Sequence, residues 1–148
     1  MRRAIAPRWF AFVAALLLAS GISSVRAAEP VSAADTKAVR AVVEAQLDAF
    51  AADDAKKAFS FAAPAIREMF GTPEKFVAMV RAGYPVVYRP ASVTFLQPLW
   101  VQRQLVLGVR LTDADGGQWL ATYSLDRQPD KSWRISGCDV QPASGRMT

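Results

Sequence analysis

Tyr84, Tyr88 and Arg89 place two phenols and a guanidinium in one short stretch, Gly83-Tyr-Pro-Val-Val-Tyr-Arg-Pro90. A proline keeps the residue before it out of the helical region, so the stretch reads as an extended connector holding these side chains at a defined rim. Arg89 could grip a carboxylate or phosphate through two parallel donors. The structural alternative is that both rings pack on the core with wet hydroxyls, and that Arg89 pairs with an acidic residue or a helix C-terminus. Trp100, Trp119 and Tyr123 are candidate walls of a binding pocket, or else plain core. Asp139 follows Gly137, where the apolar pattern of the last strand changes parity. A β-bulge there could re-aim a side chain, and a carboxylate deep in a pocket beside Tyr88 or Tyr123 could move a proton in an isomerase or dehydratase. The alternative is a surface aspartate.

Much chemistry is excluded by what the chain lacks. It has no histidine and one cysteine, Cys138. A Ser-His-Asp or Cys-His set has no base, no zinc site of histidines or several cysteines can be built, and no internal disulfide can form. Asp113 and Asp115 beside Gly116-Gly117 lack the further oxygen ligands and distal glutamate of a calcium loop, and read as a hairpin turn. No metal and no cofactor is expected. Cys138 is read as a small buried hydrophobe, with an intermolecular bridge or a reactive thiol as alternatives.

Residues 1–27 have the build of a secretory signal peptide. Arg2, Arg3 and Arg8 precede an apolar run from Trp9 to Ala19, and Val25-Arg26-Ala27 puts small residues at the −3 and −1 positions. Cleavage after Ala27 and a periplasmic or secreted location are expected, with no membrane attachment after cleavage. Four of the 18 basic residues and none of the 13 acidic ones lie in residues 1–27, so the overall charge of +5 falls to +1 for residues 28–148. That balance carries no clustered basic footprint, which argues against nucleic-acid binding.

Residues 28–148 read as one domain, helices first and strands second. Val39, Val42, Val43, Leu47 and Phe50 recur at helical spacing, predicting a helix from about Asp35 to Ala52 capped by Ser32 or Asp35, with Gln46 on or near the apolar stripe. A short helix follows from about Asp54 to Ala62. Pro64 opens a third that Gly71 stops, and Thr72-Pro73-Glu74 opens a fourth that Gly83 ends. From Ala91 the period becomes two. Val93 and Phe95, then Leu105 to Leu111, Trp119 to Leu125 and Trp133 to Val140 predict four strands joined by turns at Asp113–Gly117 and Pro129–Ser132. The expected fold class is α+β, with N-terminal helices on one side of a curved antiparallel four-stranded sheet.

The stretches Phe59–Phe76 and Gly83–Pro90, with Tyr123–Leu125, Arg127–Asp130 and Trp133–Cys138, resemble a bacterial family of exported proteins described as a domain of unknown function, DUF4864. The order of elements and the closing Asp130–Ile135 pattern also resemble the NTF2-like (cystatin-like) superfold. The resemblance implies a conical fold with a pocket and carries no activity. Two functions are open. One is a non-catalytic module binding a small apolar ligand or a protein partner, with a homodimer through the sheet among the options. Its candidate contacts are Tyr84, Tyr88, Arg89, Trp100, Tyr123 and Asp139. The other is a small enzyme using Asp139 with a tyrosine.

Overall fold

A computed structural model describes residues 29–143; residues 1–27, where a signal peptide is expected, lie outside them. Ser32 caps α1 (Ala33–Ala51) by accepting from the Asp35 amide at 3.0 Å, as its short oxygen-bearing side chain suits it to do. Val39, Val43, Leu47 and Phe50 form its buried stripe, and Gln46 lies within it, 3% exposed. The helix ends in a Schellman turn: the Asp54 amide reaches the Ala49 carbonyl and the Asp53 amide the Phe50 carbonyl. Asp53 takes the left-handed position usually given to glycine, with φ of 53°.

Three more helices follow their punctuation. Asp54 caps α2 (Ala55–Ser60), Pro64 opens α3 (Pro64–Phe70), which Gly71 closes at a φ of 75°, and Thr72 caps α4 (Pro73–Gly83). The expected extended connector after α4 is instead a single helical turn, α5 (Pro85–Tyr88). Pro85 restricts only Tyr84 before it and fits the first helical position itself, where its missing N–H costs nothing. Burial of Val86, Val87 and Tyr88 then favours the turn over an extended strand.

The sheet has five strands rather than the expected four: β1 (Ser92–Phe95), β2 (Leu99–Val101), β3 (Gln104–Thr112), β4 (Gln118–Arg127) and β5 (Trp133–Pro142). All pairings are antiparallel, in the order β1–β3–β4–β5, and β2 pairs with the end of β3 that β1 leaves free. β1 and β2 are thus two segments of one edge, parted by Leu96-Gln97-Pro98, where a proline cannot donate to the ladder. Between β4 and β5 the register jumps: Ser124 faces Gly137 but Leu125 faces Ile135. Ser136 is the extra residue of a β-bulge, and its hydroxyl donates to the Ser124 carbonyl at 3.1 Å.

One sheet face carries Leu105, Leu107, Val109, Leu111, Ala121, Tyr123 and Leu125, all buried under the helices. The segment between α2 and α3 is bonded to the edge of β5 as well. The Ala63 amide donates to the Ile135 carbonyl at 2.7 Å, and the Ile135 amide to the Phe61 carbonyl at 2.8 Å. This strap fixes the short helices against the sheet beside the bulge.

Candidate functional site

Between the helices and the bulged half of β5 lies a cavity of about 250 Å³. Phe50, Phe76, Val80 and Val87 form helical walls, and Tyr123 and Ile135 are walls from the sheet. These are buried, whereas Ile66, Phe70, Met79 and Tyr84 also line it and keep partial exposure, which marks the side open to solvent. Among the described residues, no charged side chain lines it. Tyr84 adds a phenol on the solvent side; the other three polar side chains are those of Gln46, Tyr123 and Cys138.

Each of the three is placed for a physical reason. Gln46 is held on the apolar stripe of α1 because its Nε2 donates to the Ala58 carbonyl of α2 at 3.1 Å. Cys138 points inward because the bulge at Ser136 resets the alternation of β5 after Trp133 and Ile135. Burial pushes the thiol up to about 12, with the Asp139 carboxylate adding to the rise and the Tyr123 hydroxyl opposing it. It is therefore a neutral thiol at physiological pH and a poor nucleophile. Tyr123 pairs with Cys138 across β4 and β5. Burial first, and the neighbouring thiol second, hold its phenol well above the ordinary range. The Tyr123 hydroxyl makes no well-formed hydrogen bond among the described residues, and the Cys138 thiol beside it is a weak partner at most.

The six residues singled out in the sequence do not converge. Tyr84 and Tyr123 line the cavity. Trp100 packs on Trp133 at a ring separation of 6.0 Å, away from it. Trp119, the further aromatic considered, gives its indole N–H to Asp113 at 2.8 Å and ties down the β3–β4 hairpin. Asp139 is exposed and accepts from Gln141 at 2.8 Å. The bulge re-aims Cys138 inward, so its neighbour must face out. Asp139 therefore has no access to the cavity as a proton-transfer group.

Tyr88 and Arg89 belong to a separate cluster around Asp53. The Tyr88 ring is buried against Phe50 at 5.7 Å, and its hydroxyl donates to Asp53 Oδ1. Arg81 donates to the Tyr88 oxygen at 2.7 Å and to Asp53 at 3.2 Å. Arg89 reaches Asp53 Oδ2 at 2.8 Å and the Ala51 carbonyl at the end of α1 at 3.1 Å. Both structural alternatives for Arg89, an acidic partner and a helix C-terminus, hold together. The guanidiniums also stack on the Tyr88 ring, 4.7 Å away for Arg81 and 5.4 Å for Arg89. This cluster pins the C-terminus of α1 to α4 and α5.

The cluster gives the fold an acid-sensitive limb. The Tyr88 hydrogen bond, then the charges of Arg89 and Arg81, hold Asp53 below its ordinary value of 3.8. The Trp119 indole and Gly117 amide do the same for Asp113, as do the Ser132 hydroxyl and amide for Asp130. A carboxyl whose folded-state value is depressed stabilises the fold above the unfolded-state value, and that contribution is lost as pH falls through the folded-state value. Thermal melts across pH should therefore show the wild-type Tm falling more steeply below about pH 4 than that of Asp53→Asn, which has no proton to take up there. Parallel acid limbs would show that Asp53 contributes nothing.

Sequence reasoning missed Gln46, Phe50 and Met79 as cavity residues. The available signal was a glutamine inside an otherwise apolar stripe, because a buried amide must find a partner. A model of the family described as "Domain of unknown function (DUF4864)" matches residues 32–148. The chain belongs to this family. No significant match was found among curated proteins or among solved structures. The DUF4864 match spans the helices, the strap and the whole sheet, so every residue that lines the cavity lies within it.

Proposed function

We propose that this DUF4864 chain is a non-catalytic module that binds a small, largely apolar molecule in the cavity between its helices and the bulged end of its sheet. The cavity itself carries the reading: about 250 Å³, uncharged and open on one side. An apolar cavity of about 150 Å³ suffices to bind benzene in another protein, so this one has room for a ring with a short substituent. Binding pockets are mostly apolar with a few placed polar groups, which is the composition found here. Proton-transfer chemistry is the weaker reading, because Asp139 faces solvent and the Cys138 thiol is neutral.

Two further parts of the reading concern context. The helices-then-meander order and the bulged last strand support an NTF2-like (cystatin-like) fold. The charged, apolar and small-residue regions of residues 1–27 support export to the periplasm or beyond.

Filling the cavity tests the function. Ala62 is buried and lines the cavity. In wild-type protein, toluene should raise the Tm, since a ligand that binds only the folded state stabilises it. In Ala62→Leu the added carbons occupy the binding space, and toluene affinity should fall about tenfold, the effect of an overpacking cost near 1.4 kcal/mol. Equal Tm increments in the two proteins would place toluene elsewhere and remove the support for this cavity.

A further inference from the structure

We infer that the cavity selects neutral ligands bearing one carbonyl-type oxygen, which accepts a hydrogen bond from the Tyr123 hydroxyl. This rests on the binding reading above and goes beyond it by naming the ligand's chemistry. Tyr123 is 1% exposed, lies on the central strand β4, and has the largest fully buried side chain of the core. Its hydroxyl is left without a partner among the described residues. A buried polar group without a partner costs free energy, and nearly all such groups in native proteins are paired. Phenylalanine would fill the same space without that cost. The hydroxyl therefore has a use, and Tyr123 is one of the residues that line the cavity.

The surroundings determine what the oxygen can meet. The phenol stays protonated, so it offers a proton. The neighbouring Cys138 thiol is protonated too, and is at most a weak acceptor. Gln46 already spends one amide proton on Ala58. A ligand oxygen with free lone pairs completes the set; a ligand with only donors would leave two donors facing each other. A carboxylate or phosphate would bring a charge into a cavity with no lysine or arginine on its walls, at a desolvation cost that one phenol does not offset. An ammonium ligand meets the same cost, with no carboxylate on the walls. The rest of the ligand is apolar because Phe50, Phe76, Val80 and Ile135 surround it.

Three probes of similar shape separate this from simple apolar binding: acetophenone, its hydrocarbon analogue α-methylstyrene, and benzoate. Titration of the full folded chain should give acetophenone at least about fivefold tighter binding than α-methylstyrene, the effect of one hydrogen bond, and no measurable benzoate binding. Tyr123→Phe should bring the two neutral probes to equal affinity, chiefly by weakening acetophenone. The carbonyl stretch of bound acetophenone should lie at lower frequency in wild type than in Tyr123→Phe. Equal affinities for the two neutral probes in wild type would overturn the inference, as would a preference or carbonyl frequency that Tyr123→Phe leaves unaltered, or benzoate binding tightest. In those cases the cavity still binds and the function above stands. If none of the three probes binds, the binding reading falls and takes this inference with it.

Discussion

Phe50→Ala should destabilise the protein by about 3–5 kcal/mol, the range for removing a fully buried phenylalanine from a close-packed core. Phe50 is 1% exposed. It sits where three parts of the molecule meet. Its ring contacts Phe76 of α4 at 6.0 Å and Tyr88 of α5 at 5.7 Å, and it forms part of the cavity wall. The loss exceeds the transfer term for the ring alone, about 1.5–3 kcal/mol, because the space joins a cavity already present and the walls have little to collapse onto. Urea denaturation measures it. A loss below about 1 kcal/mol would mean that helices and sheet are not packed through this ring.

Tyr123→Phe should have the opposite sign. Removing a buried tyrosine's hydroxyl ordinarily breaks a hydrogen bond and destabilises. Here there is no bond to break among the described residues, and the desolvation cost of an unpaired hydroxyl, about 1–3 kcal/mol, is relieved. The ligand-free variant should therefore be as stable as wild type or more so, with a higher denaturation midpoint and an unchanged m-value. A loss of 1 kcal/mol or more would show that the hydroxyl has a structural partner in solution and is not kept for a ligand. Stability given up at a binding residue is a common price of function.

The opposed signs of these two substitutions separate what the chain pattern makes legible from what it does not. Ser32, Pro64, Gly71, Thr72 and Pro73 mark helix ends through local chemistry, and the helices begin and end beside them. The parity change at Gly137 marked the bulge, because one extra residue must shift every later side chain to the other face. The same rule, applied one residue further, places Asp139 outside. β2 escaped notice because its turn into β3 uses Gln102 at a φ of 57°, where a glycine or asparagine would have announced it. α5 is hidden because a proline both bars the residue before it from the helical region and opens a helix well, and the pattern around Pro85 fits either role. The Asp53 cluster joins positions 35 apart, Asp53 to Tyr88, and depends on tertiary packing that no local pattern encodes. For Arg89, named as a candidate ligand contact, the pairing with an acid and a helix end is the structural alternative, and few other fates suit a guanidinium beside a core. The cavity is a property of volume, and volume emerges only when the stripe of α1, the strap at Phe61–Ala63 and the bulged strand are set against one another.

Diffraction from crystals of the folded chain held under xenon pressure tests directly for the cavity, because xenon enters apolar cavities whatever the natural ligand is. Ordered xenon should appear among Phe50, Phe76, Val80 and Tyr123. Density showing those side chains in mutual contact, with xenon absent between helices and sheet, would contradict the presence of the cavity.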